Sequence, residues 1–404
     1  MKVGTGHAVL RASLVLLAGG AAAQALPLLL GPWLTRLYTP AEFGHFHLLA
    51  AVAANVAVVA CARYEFALPL AQDERQAQVL AALCRWLLWA TSLAALVAGV
   101  VWAALAAAWW PLGLPGLVAV AGLVSLAGAW AMRAQRFRAL ALARVVQHGG
   151  GALAQGVAGS LGAGLLGLIA GAALATAAAA ALLWTRLPRW WQQPRSALVA
   201  AARQHRDFPL LNTPHAFAGA LQDTLSMALI AAWLGPAEAG LWGLALRYLK
   251  APATLVGGAV SQALYPALAA DGATQEGRAA VRQVMAVLAA IALALVGLLL
   301  AFAPGAFEAA FGAPWRGAGE LARALAVYIG MHFIASPLSV VTMAWGAQAW
   351  ALKLALLGQL MFVAALAAGL ALGGLTGAGW AVSGAMLLYF GVFFWRLARW
   401  PVPA

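Results

Sequence analysis

Twelve long apolar stretches, separated by short breaks, run through almost the whole chain. They cover residues 10–33, 43–67, 79–107, 112–134, 139–160, 164–186, 209–233, 237–264, 280–303, 318–342, 351–372 and 376–397, with Pro, Gly or charged residues punctuating them. Crossing a bilayer takes roughly 20 mostly apolar residues in a helix. Hydrophobic residues make up 65% of the 404, and charged residues only 9%. A water-soluble domain carries about 25% charged residues, and it could not enclose this much apolar surface. A soluble globular fold is therefore excluded. A β-barrel would alternate apolar and polar residues in segments of about ten, and these stretches do not. The sequence predicts an all-α integral membrane protein with about 12 transmembrane helices.

The formal charge is +13. In a soluble domain that excess would suggest nucleic acid. Here it sits between the spans and reports orientation. With the N-terminus in the cytoplasm, sixteen basic residues fall inside, among them Lys2, Arg11, Arg133, Arg136, Arg203 and Arg399. Only Arg36 and Arg316 fall outside. This is a positive-inside pattern, and basic residues at both ends require an even number of spans. Both termini are expected in the cytoplasm, and no nucleic-acid partner is expected. Lys2 and Arg11 ahead of an apolar run superficially fit a signal peptide, but no soluble domain follows, so this run is read as the first membrane helix.

The segment Pro40-Ala41-Glu42-Phe43-Gly44 recurs as Pro236-Ala237-Glu238-Ala239-Gly240, 196 residues later, with Leu48 and Leu244 four residues beyond each copy. Each copy lies in the outer loop after an odd-numbered span, after Trp33 and Trp233 respectively. The repeat predicts two six-helix lobes, 1–186 and 209–404, related by a pseudo-two-fold axis along the membrane normal. Residues 187–208 join them. This joint is rich in Arg and Trp (Arg189, Trp190, Trp191, Arg195, Arg203, Arg206) and is read as a cytoplasmic interfacial linker.

Few ionisable side chains lie inside the spans, and each costs at least about 2.5–3.5 kcal/mol there. Asp223 is twelve residues before the outer turn at Gly235, and Arg247 is twelve after it. At 1.5 Å per residue both sit about 18 Å from that turn, at matching depth. Lys250 shares the helix face of Arg247. Two bases against one acid favour an anionic ligand, with Asp223 as a coupling carboxylate or ion-pair partner. Arg63 and Glu65 lie near the inner end of the second span, where local pairing, snorkelling or substrate contact are all open. Glu320 and Arg323 are expected to pair at i, i+3.

No catalytic constellation, P-loop or metal-ligand spacing occurs, so neither an enzyme nor a cofactor is expected. Cys61 and Cys84 are read as buried inert thiols, and His148 and His332 as core histidines. Pro27, Pro209, Pro252 and Pro337 interrupt spans and are candidate hinges. Glycines at 167, 171, 373 and 377 fit close helix packing.

Residues 25–44 (ALPLLLGPWLTRLYTPAEFG), RYEFALPL at 63–70 with Asp73-Glu74, and GLWGLALRYLKAPATLVGGAVSQALYPALA at 240–269 carry a family resemblance. They resemble bacterial polysaccharide-biosynthesis membrane proteins, the flippases of lipid-linked O-antigen and capsule units. These share a superfamily with the multidrug and toxic compound extruders. The resemblance implies transfer of a polyprenyl-diphosphate-linked oligosaccharide from the inner to the outer leaflet of the bacterial inner membrane. It also implies alternating access around a cationic cavity, coupling to H+ or Na+, and a polysaccharide polymerase as partner. Carried over by position, Arg36 and Glu42 belong to the first motif, Arg63 and Glu65 to the second, and Arg247 to the third.

The physics agrees with that implication. A diphosphate carries about two negative charges and does not cross hydrocarbon unaided, and arginine's planar fork suits phosphate. The polyprenyl tail can remain among membrane lipids while the headgroup passes. The alternative is an ion-coupled multidrug exporter of the same fold, whose cavity should favour carboxylates. A membrane polymerase would need larger outer loops than the roughly 14 residues at 304–317.

Overall fold

The computed structural model describes residues 6–184, 193–271 and 273–401. Among them the secondary structure is helical throughout, with no strand. In chain order the helices are α1 (Gly6–Leu37), α2 (Pro40–Val58), α3 (Glu74–Ala106), α4 (Leu114–Arg133), α5 (Phe137–Val145), α6 (Gly151–Ser160), α7 (Gly164–Leu183), α8 (Arg195–Gln204), α9 (Thr213–Leu234), α10 (Pro236–Asp271), α11 (Gln275–Phe311), α12 (Arg316–Ala324), α13 (Ala326–Ala344) and α14 (Gln348–Ala398). A 3-10 turn, Tyr64–Leu70, stands between α2 and α3. A π turn, Val146–Gly150, makes α5 and α6 one interrupted rod.

Eight helical segments among the described residues are long and apolar enough to cross a membrane. They are α2, α3, Trp110–Arg133, α7, Ala216–Leu234, α11, α13 and α14. The protein is thus a multi-pass membrane protein. At 51 residues α14 would run about 77 Å if straight, far more than a bilayer core. It breaks at Gly373 and Gly374, where φ reaches 60° at Gly374, so the stretches 351–372 and 376–397 fall on either side. The face of α3 bearing Trp89, Leu93, Val97 and Val101 is exposed, while Ala81, Cys84, Leu88 and Ala95 are buried. An apolar face turned outward is the arrangement lipid requires.

Contacts divide the chain into two compact units, Met1–Thr224 and Leu225–Ala404. The sequence places the joint at 187–208, whereas this division falls inside α9. The first half of α9 belongs with the first unit because the Thr224 hydroxyl donates to the Ala51 carbonyl of α2 at 3.1 Å. Residues 187–192 of the expected linker, with Arg189, Trp190 and Trp191, lie outside the described residues. Its later part forms α8, which docks on the first unit. The Tyr64 hydroxyl donates to the Ala202 carbonyl at 3.1 Å, and Gln76 Nε2 lies 3.5 Å from His205 Nε2.

In the first unit α6 packs on α1 and α7 through small residues, as packing without a hydrophobic driving force demands. A Cβ on Gly156 would fall 1.9 Å from the Trp33 ring, and one on Gly171 would fall 2.8 Å from the Gln155 amide nitrogen. Gln155 is a buried polar pin: its carbonyl accepts from the Tyr38 hydroxyl at 2.6 Å, and its Nε2 donates to the Leu168 carbonyl at 2.9 Å. Burial, with the Glu42 carboxylate adding to it, raises the Tyr38 phenol above its ordinary pKa, so it stays a neutral donor. Glycines 167, 171 and 377 do sit at close approaches. Gly373 instead marks the break in α14, with nothing near its missing side chain.

In the second unit α10 packs on α13 through hydroxyl staples. The Ser261 hydroxyl donates to the Pro337 carbonyl at 3.1 Å. An aromatic cluster of Trp242, Tyr328, Phe362 and Phe390 fills the centre, with centroids 5.6 to 6.5 Å apart. His332 stands at its edge, 5.9 Å from Tyr328. The helix runs through the positions of Pro27 and Pro337; the chain's marked helix break lies at Gly373–Gly374. The Glu320–Arg323 pair forms at 3.3 Å.

Candidate functional site

Two places in the chain gather the chemistry, one in each unit. The first is a cavity of ≈ 310 Å³ between α4, the α5–π turn rod and the 3-10 turn. Its wall is mostly apolar, with Phe66, Val124, Met132, Leu140 and Leu183. Its polar groups are Glu65, Ser125, Arg144 and Gln147. Leu140, Ala143, Arg144 and Gln147 follow one another at i, i+3, i+4 and i+7, so they share one helix face. The π turn begins at Val146 and interrupts that helix beside them. Such turns are frequent at functional sites.

Neither Arg144 nor Gln147 is among the residues that the sequence singles out. The signal that could have found them is that helical face, two polar residues on an otherwise apolar stripe. A guanidinium presented into an apolar pocket can hold a carboxylate or phosphate oxygen pair. Glu65 supplies the opposite charge on the facing wall.

The second expected span places Arg63 and Glu65 in a helix; the structure corrects this. Helix α2 ends at Val58, and the chain turns through left-handed backbone at Ala62 (φ 47°) and Arg63 (φ 62°). The turn is held because Ala67 and Leu68, both fully buried, enter a core shared with α3 and α4. That packing outweighs local helix propensity. Glu65 is only 4% exposed. Its Oε1 lies 4.0 Å from Arg63 Nη1, and the Arg63 guanidinium stacks 4.5 Å from the Phe66 ring centroid.

Three of the arginines that the sequence reads as orientation charge also donate to backbone carbonyls. Arg133 donates to the carbonyls of Ala71 and, at 3.1 Å, Asp73. Arg136 donates to the Leu183 carbonyl at 3.1 Å, at the end of α7. Arg282 donates to the Ala398 carbonyl at 2.8 Å, at the end of α14. Leu183 and Ala398 stand at helix C-termini, where carbonyls lack backbone partners and carry partial negative charge.

Arg36 is exposed in the last turn of α1. Glu42 closes a capping box: its Oε2 accepts from the Thr39 amide at 2.8 Å, and the Thr39 hydroxyl caps the Glu42 amide at 3.3 Å. The repeated PAExG segments share one thing in the structure, since Pro40 and Pro236 both open helices.

The second place is α10. Arg247 and Lys250 are half-buried and one turn apart on it. Tyr248, beside Arg247, packs its ring 4.7 Å from Phe311. The turn at Gly235 (φ 98°) joins α9 to α10 where the sequence places it. Asp223 is exposed on the part of α9 that belongs to the first unit.

The family model described as "polysaccharide biosynthesis protein" matches residues 33–320. No curated protein matches the sequence significantly. Among solved structures the chain is similar to the lipid II flippase MurJ in an inward closed conformation, at 10% identity and a TM-score of 0.73, covering 94% of this chain and 86% of that one. It is also similar to an inward-facing multidrug resistance MATE family transporter of the MOP superfamily, at 16% identity and a TM-score of 0.62, covering 96% and 94%. A third likeness is a MOP superfamily transporter from Pyrococcus furiosus, at 15% identity and a TM-score of 0.54, covering 96% and 95%. At these identities the likeness is one of fold.

Proposed function

Because the chain belongs to the polysaccharide biosynthesis protein family, we propose that it is an alternating-access flippase for polyprenyl-diphosphate-linked oligosaccharide. It moves this lipid from the inner to the outer leaflet of the bacterial inner membrane, for assembly into surface polysaccharide by a polymerase partner. Twelve spans form two six-helix lobes with both termini cytoplasmic. An H+ or Na+ gradient drives the cycle, with Asp223 as the coupling carboxylate or counter-ion. The family match over residues 33–320 is the observation that carries this reading.

The chain's own charges support it. Arg247 and Lys250 sit half-buried within the long apolar helix α10, where ionisable side chains point to function. We read them as the cationic face that meets the diphosphate. Arg247 holds two oxygens through its fork, and Lys250 adds a point charge one turn away. Arg63 contributes a further cation on the first unit. The reaction makes and breaks no covalent bond in the substrate, so the protein needs two conformations and a cavity.

The fold likeness to a MATE transporter favours a second reading, a multidrug exporter. Ligand-induced stabilisation separates the two. The purified protein should gain thermal stability with a short-chain polyprenyl-diphosphate glycan and not with cationic dyes. Stabilisation by the dyes alone would move the assignment to the exporter.

A further inference from the structure

In the sequence, Cys61 and Cys84 are 23 residues apart and show no ligand spacing. The left-handed turn after Cys61 changes that. It folds the 3-10 turn back on α3, and Cys61, Cys84 and Glu65 come together. The two sulfurs and a Glu65 carboxylate oxygen all lie within 4.8 Å of one another, and all three residues are buried. The Cys61 thiol donates to the Cys84 carbonyl at a long 3.6 Å. Glu65 Oε2 is enclosed and has no hydrogen-bond partner. A buried carboxylate oxygen without a partner beside two thiols is an uncommon arrangement for an inert core.

We propose that Cys61, Cys84 and Glu65 form a binding site for a zinc ion, which clamps the 3-10 turn to α3. This goes beyond the transport reading and does not depend on it.

The donor set fits the ion. Two thiolates and one carboxylate are zinc ligands, leaving one position for water. Bond lengths of about 2.3 Å to sulfur and 2.0–2.2 Å to oxygen would draw the three atoms in by roughly an ångström from their present spacing. The charge also fits. Without metal, two neutral thiols and a Glu65 carboxylate facing Arg63 sum to zero. With metal, two thiolates and the carboxylate are balanced by the divalent ion together with Arg63, whose guanidinium is 4.0 Å away. Neither state leaves a net charge in the core. Binding releases two protons, one from each thiol. A route exists as well, because Glu65 also lines the ≈ 310 Å³ cavity.

The test uses the full chain, tag-free, in detergent and stripped by a chelator. Equilibrium dialysis against buffered Zn2+ should load one ion per chain. Cys84→Ser and Glu65→Gln should each weaken binding by about tenfold or more, and the Cys61→Ser/Cys84→Ser double variant should lose the ion. Cd2+ should give a thiolate charge-transfer band in the wild type and none in the double variant. If a variant fails to fold, the wild type alone decides: Zn2+ should protect both thiols from a small maleimide, and the chelator should restore labelling. No zinc on the folded wild type, full loading of the double variant, or labelling unaffected by zinc would each overturn the proposal.

Discussion

Arg63 and Glu65 face each other at 4.0 Å across a turn in which Arg63 itself has left-handed backbone. A side chain that is not glycine adopts this conformation at a cost of roughly 1–2 kcal/mol. Two such residues in succession, Ala62 and Arg63, mean that surrounding packing holds the turn against its own preference. The turn is what carries Glu65 into the core and onto the cavity wall.

Replacing Ala62 with glycine should therefore stabilise the protein. The relief of left-handed strain exceeds the extra chain entropy of glycine, about 0.5–1 kcal/mol, leaving a net gain of up to about 1 kcal/mol. Thermal unfolding in detergent should show a small rise in Tm. A fall would mean that the Ala62 methyl contributes more through packing than its backbone costs.

Arg133→Ala should destabilise. It removes charge-assisted bonds to the Ala71 and Asp73 carbonyls, and such bonds contribute about 1.5–3 kcal/mol each when well shielded. Arg133 is half-exposed, so a total loss of about 1–2 kcal/mol is expected. Arg133→Lys should recover little, because one ammonium cannot span both carbonyls as the guanidinium fork does. Unfolding midpoints of the three proteins check this. Full recovery by lysine would show that charge alone matters.

Gly369→Ala should disturb the close approach of the two arms of α14. A Cβ at Gly369 would lie 2.5 Å from the Ala378 Cα and 2.6 Å from the Gly377 carbonyl oxygen, both backbone atoms that cannot rotate away. The arms turn at Gly373 and Gly374, so they must separate. Overpacking of this kind costs about 1–3 kcal/mol. A cysteine cross-link or spin-label distance across the arms should lengthen, with Tm lowered. An unchanged distance and Tm would contradict the packing.

The helical architecture was legible because apolar length is a strong signal. The stretches 79–107, 164–186 and 209–233 overlie α3, α7 and α9 closely. The turn at Gly235 and the Glu320–Arg323 pair were legible for local reasons, a helix-breaking residue and an i, i+3 spacing. The fate of 59–70 was not, since its apolar content fits a helix and only long-range burial of Ala67 and Leu68 turns it aside. The Cys61–Glu65–Cys84 cluster depends on that same turn, so no spacing rule could show it. Arg144 was obscured by its neighbours Arg133, Arg136 and Arg138, which read as orientation charge; the cavity on its helix face exists only once α4 packs against it. Gly373 looked like a packing glycine because it is four residues from Gly377, but its backbone leaves the helix and nothing stands near its missing side chain.

The central claim is that α10 presents Arg247 to the diphosphate of a lipid-linked glycan. The most direct test is transbilayer movement of a fluorescent polyprenyl-diphosphate oligosaccharide in proteoliposomes, for the wild type and Arg247→Ala, with folding verified for both. The account predicts movement by the wild type and its loss, by about tenfold or more in rate, in the variant, since an arginine–phosphate contact removed from a shielded site costs at least about 1.4 kcal/mol. Equal movement by both would contradict the role of Arg247, and movement by neither, across several glycans and imposed ion gradients, would contradict the flippase itself.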